Sequence, residues 1–112
     1  MKQKIYIAGK VTGEPIEECR IKFKIAQLEL EAKGFIAINP LEIVTDSTTP
    51  WFTAMRMCVS VLVNCDAVVL LPCWEDSTGA KIERKLAEDL QILICNYTPF
   101  GLTVLQKHQW NN

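Results

Sequence analysis

An unbroken apolar run, Ala67–Leu71, followed by a polar turn and an amphipathic stretch to Leu90, constrains this chain most. A short apolar run closed by a turn suits a strand covered on both faces, as in a parallel sheet. Pro72 ends the run, because proline cannot donate to a central ladder. Ser77 or Thr78 supplies an N-cap oxygen for the helix that follows. At about 100° per residue, Gly79, Ile82, Glu83, Leu86, Ala87 and Leu90 share one stripe, and Lys81, Arg84, Lys85 and Glu88 lie off it. A carboxylate therefore sits on the face that packs against the sheet. Burial of an unpaired carboxylate is costly and raises its pKa. Glu83 also lies beside the C-terminal strand edge, where open α/β sheets bind ligands. The alternative is structural: Glu83 satisfies helix-terminal N–H groups or pairs with a nearby base.

The same alternation repeats upstream. Lys4–Ala8 reads as a first strand, rich in β-branched and aromatic residues. A helix is expected from Pro15 to about Lys33, with Cys19, Phe23, Ala26 and Leu30 inward beside Ile16 and Gln27, and Gly34 ending it. Phe35–Asn39 reads as the second strand. Leu41–Pro50 is a polar connection, a candidate flap over the sheet edge. A helix from about Trp51 to Asn64 looks apolar on both sides, which fits burial between the sheet and a partner subunit. Ile92–Cys95 reads as a fourth strand, and Tyr97–Gly101 as a turn. Leu102–Trp110 fits a short helix or a last strand equally well. Strands alternating with helices predict one domain, a three-layer α/β sandwich of Rossmann-like or flavodoxin-like type, with a parallel sheet of four to five strands.

With 112 residues, the chain accommodates one such core. A net charge of −1 leaves no electrostatic footprint for a nucleic-acid polymer or an acidic membrane. No apolar run reaches membrane-span length, and the N-terminal apolar stretch is too short for a signal peptide. Five cysteines without a CxxC pair, and one histidine, argue against a metal site and for reduced thiols in the cytoplasm.

Several residues at the predicted C-terminal edge are candidates for ligand contact. Gly9, Lys10 and Gly13 lie in the loop after the first strand, where backbone N–H groups can approach an anion. An ordinary βα turn uses the same residue types, and Lys10 fits a phosphate contact or plain solvation. Asn39 fits a ligand contact or a turn before proline. Trp74 fits base stacking or core packing. Ser77, Gly79 and Asp76 complete the turn before Glu83. Asp66 sits at the opposite strand end and reads as structural.

KIYIAGKVTG, then Phe23, Ala26, Leu30 and Gly34, then INP, then Trp51, Met55 and Arg56, then CDAVVLLPCWEDSTGAKIE together resemble the nucleoside 2-deoxyribosyltransferase-like superfamily. The resemblance reaches from the N-terminus to about Cys95, and its most specific piece is LPxWExSxGAxxE over Leu71–Glu83. It implies an oligomeric enzyme acting on the N-glycosidic bond of a nucleoside or nucleotide, without a cofactor. It implies Glu83 as nucleophile and Tyr6 as a pocket residue. Three positions depart from the pattern. Lys10 stands where relatives often have proline, and Cys73 where glycine is common. Cys58 stands where many members carry an aspartate that protonates the leaving base. The resemblance leaves Asp76 as a substitute donor. A non-catalytic nucleotide-binding module with the same pocket is the alternative.

Overall fold

The computed structural model describes residues 2–98 and 101–104. Five strands form one sheet: β1 (Lys4–Ala8), β2 (Ile36–Ile38), β3 (Ala67–Leu70), β4 (Leu93–Thr98) and β5 (Gly101–Val104). Their order is β2-β1-β3-β4-β5. The first four run parallel, with Tyr6 opposite Ile38 on one side and Val68 on the other. β5 returns antiparallel along β4, pairing Cys95 with Val104. This is the expected three-layer Rossmann-like or flavodoxin-like architecture, closed on one edge by a hairpin. Within the expected turn at Tyr97–Gly101, β4 continues to Thr98, which pairs with Gly101 at the start of β5. Residues 105–110 lie outside the described part of the chain.

Strand alternation divides the core in two. Ile5, Ile7, Val69 and Leu71 face helix α1 (Ile16–Ala32), which buries Phe23, Ala26 and Leu30 against them. Tyr6, Ala8, Val68 and Leu70 face helices α3 (Trp51–Leu62) and α4 (Thr78–Asp89) on the other side. The apolar run in β3 is buried at every position, as a strand covered on both faces requires. Gly34 ends α1 with φ +91°, a conformation that favours glycine. Ile16, expected on the inner face of α1, is exposed at the first position of the helix.

The inner face of α4 is rotated slightly from the expected stripe. Ala80, Glu83 and Ala87 are buried, whereas Ile82 and Leu90 are exposed. Ser77 caps the helix, its hydroxyl accepting from the Ala80 amide at 3.0 Å. A short helix α2 (Pro40–Ile43) occupies the start of the predicted polar connection. At the opposite sheet edge, the Lys4 amide donates to Asp66 Oδ2 at 2.8 Å, the structural role expected of that carboxylate. Among the described residues no helix is long and apolar enough to cross a membrane.

Candidate active site

Parallel strands deliver their C-terminal ends to one edge, and a cavity of about 820 Å³ opens there. Its walls come from the end of β1 and the loop after it, from the Val44–Thr49 segment, and from the starts of α3 and α4. The predicted flap is thus one wall of the cavity. The size lies within the range of pockets that hold small organic ligands.

Tyr6 and Glu83 meet in this cavity from positions far apart in sequence. β1 alternation turns Tyr6 toward α4, and Glu83 reaches it from the buried stripe of α4 that also carries Ala80 and Ala87. The Tyr6 hydroxyl donates to Glu83 Oε2 at 2.5 Å. Glu83 is only 5% exposed. Burial raises its carboxyl from 4.5 to about 7, and the Tyr6 hydrogen bond opposes that rise. Glu83 therefore changes charge near neutrality. Burial, reinforced by the adjacent Glu83 charge, drives the Tyr6 phenol far upward and keeps it neutral. Cys58 shares the cavity and hydrogen-bonds with Tyr6; burial pushes its thiol up, so it is uncharged at neutral pH. Together they form a buried hydrogen-bonded cluster in which Glu83 is the group that ionises near neutrality.

The other predicted residues divide. Asp76, Ser77 and Gly79 line the cavity, as does Gly9. Asp76 is exposed and presents a second carboxylate to the same space. Gly79 gives close passage to α3: a Cβ there would lie 3.0 Å from Met55 Sδ. Gly9 is held by a tighter contact, since its Cβ would lie 2.9 Å from Leu71 Cδ1 and 3.1 Å from Leu71 Cβ. Gly9→Ala is expected to lower stability by roughly 1–3 kcal/mol through overpacking against β3. A denaturant titration reads that loss.

Lys10, Gly13, Asn39 and Trp74 are not among the cavity's lining residues. The Lys10 main chain is tied down instead, its amide donating to Cys73 Sγ at 3.3 Å and its carbonyl accepting from Lys22 Nζ at 3.0 Å. Gly13 makes the turn at φ +84°. Asn39 caps α2, accepting from the Leu41 amide at 3.0 Å, and donates to Gln27 Oε1 at 3.2 Å. Those bonds occupy both ends of its amide, so the turn role is the one it fills. Trp74 packs on the α3–α4 core, with the Arg84 guanidinium 5.2 Å from the centre of its ring. The cation occupies one face of the ring.

Two cavity-lining residues lack any motif that singles them out in the sequence: Glu14, in the loop before α1, and Arg20, in the early part of α1. Their place just beyond the first strand was the available signal. Arg20 is largely exposed and pairs with Glu17.

Comparison with curated proteins gave no match, and comparison with solved structures gave none. A family model described as "Domain of unknown function (DUF4406)" matches residues 3–96, a span that runs from β1 into β4 and contains every site residue named above. The chain, with its Tyr6–Glu83 pair set in the cavity at the sheet edge, belongs to the DUF4406 family.

Proposed function

We propose that the protein breaks or transfers the N-glycosidic bond of a nucleoside, with Glu83 as the nucleophile. One observation carries this reading: a buried carboxylate with a pKa near 7, held by Tyr6 inside a nucleoside-sized cavity. Departure of a base leaves oxocarbenium character at C1′, which an adjacent carboxylate traps covalently, as in retaining glycosidases. Tyr6 holds Oε2, so Oε1 forms the new bond to C1′ while the base leaves with the bonding electron pair. Water or a second base then attacks C1′ and releases Glu83. The departing base takes its proton from solvent water, which the exposed Asp76 carboxylate of the same cavity can relay; the neutral thiol of Cys58 is a poor donor.

The charge of the walls favours an unphosphorylated substrate. Glu14, Asp46, Asp76 and Glu83 are acidic, and Arg20 is the one cation among the described lining residues. A 5′-monophosphate entering this cavity meets repulsion that a neutral nucleoside does not.

Incubation with a panel of deoxynucleosides and their 5′-monophosphates, with free base measured by chromatography, tests the reading. Base release from a nucleoside, faster than from its monophosphate, is expected. A second reading, a binding module that has lost turnover, draws on Cys58 occupying the cavity. Thermal stabilisation by nucleosides without any base release would favour it. Absence of both binding and release would remove both readings.

A further inference from the structure

Helix α1 is apolar on two opposite faces. Its inner face carries Cys19, Phe23, Ala26 and Leu30. Its outer face carries Ile21, Ile25 and Leu28, exposed by 60%, 49% and 54% respectively. With Glu18 and Ala32 these positions follow alternating steps of three and four residues, the spacing of a seam that packs against a second helix. Three large aliphatic side chains aligned on one exposed helix face exceed the scattered surface hydrophobes of an ordinary monomer.

The residues beside the seam identify its partner. Lys22 and Lys24 flank its first half, and Glu29 and Glu31 flank its second half. A two-fold axis between residues 26 and 27 brings each basic half against the acidic half of an antiparallel copy. Ile25 then faces the partner's Leu28, and Ile21 faces the partner's Ala32, large against small. Lys24 meets the partner's Glu31, and Lys22 meets the partner's Glu29. A parallel pairing would instead stack Glu18 on itself within the seam. Within one chain, Lys22 is engaged by Lys10 and Cys73, and Glu29 by Tyr97. The opposite flank is freer: Lys24 approaches Glu42 at 3.8 Å, and Glu31 accepts from Gln27 at 3.4 Å. Lys24 and Glu31 therefore set the register.

We propose that two copies of this chain associate through α1, antiparallel, with Ile21, Ile25, Leu28 and Ala32 as the shared seam. A 17-residue helix is about 25 Å long, so the contact falls below the standard interface area and the dimer is a weak one.

Sedimentation of the whole chain from about 1 to 300 µM, the range in which small interfaces associate, tests this. The wild type is expected to shift from monomer to dimer with rising concentration. Ile25→Lys is expected to weaken association at least about 100-fold, since two copies of a central anchor are lost. Ile25 is exposed in the monomer, so circular dichroism should show an intact fold, and Leu28→Lys provides a second seam variant. Lys24→Glu is expected to weaken the dimer roughly fivefold, and the added Glu31→Lys change to restore it. A wild type that stays monomeric overturns the proposal. So does a dimer indifferent to Ile25→Lys and Leu28→Lys, which would point to the exposed Phe52, Met57 and Val63 of the α3 region. Failure of the charge swap to restore association overturns the antiparallel register.

Discussion

Glu83→Gln is expected to abolish base release, lowering kcat/KM by about 10³-fold or more, because an amide cannot trap C1′ covalently. The substitution keeps the size of the side chain and an oxygen able to accept from Tyr6, so the fold should survive. Its effect on stability has a distinct sign. The Glu83 carboxyl is raised from 4.5 to about 7 in the folded chain. Its neutral form is therefore the one that favours folding. That contribution is complete below pH 4.5 and is lost as pH rises through 7, a decline of roughly 3 kcal/mol in the wild type. Glu83→Gln should lack this decline. Urea titrations of both proteins from pH 4.5 to 8 would show the difference between them change across that window. A constant difference would mean that Glu83 ionises as it does in water.

Tyr6→Phe acts in the opposite sense on the same group. The phenol oxygen is removed, and Oε2 of Glu83 loses the donor that favours its charged form. The carboxyl then rises further above 7. For a nucleophile that must be ionised, activity increases with pH through the carboxyl's pKa. Wild-type kcat/KM should show an acid limb near pH 7, and Tyr6→Phe should move that limb upward. At pH 7 the variant should be at least about tenfold slower, with much of the deficit recovered at pH 9. A loss that is constant across pH would assign Tyr6 to substrate positioning, and an unchanged profile would remove it from the site.

The sequence carried the architecture because local signals there agreed. The apolar run of β3, the caps at Ser77 and Gly34 and the strand at Lys4–Ala8 all point to alternating β and α elements, and the structure places them so. Glu83 was legible too, since helix periodicity turns it toward the sheet whichever of two adjacent phases the helix adopts. The phase itself was not. Ile82 and Leu90 look like core residues but are exposed, because α4 packs on the sheet through Ala80, Glu83 and Ala87.

The partner of Glu83 was invisible to local reading. Tyr6 lies 77 residues away, and only β1–β3 pairing beneath α4 brings the two together. The resemblance put Tyr6 in the pocket without giving the hydrogen bond. Asn39 and Trp74 show the converse. Residue types that suit ligand contact were already engaged, by Gln27 and Leu41 in one case and by Arg84 in the other. Such engagement depends on neighbours that spacing alone does not disclose. The last strand stood open against a short helix in the sequence, because a short edge strand carries too few residues to distinguish its period from that of a helix.

In the proposed reaction Oε1 of Glu83 forms a bond to the sugar. Intact-protein and peptide mass spectrometry after reaction with a 2′-fluoro deoxynucleoside, whose fluorine slows release of the sugar, tests this most directly. The protein should gain the mass of one fluorinated sugar without its base, on the peptide containing Glu83, and Glu83→Gln should gain nothing. Base release from the parent nucleoside with the adduct on another residue, or with Glu83→Gln as active as wild type, would contradict it.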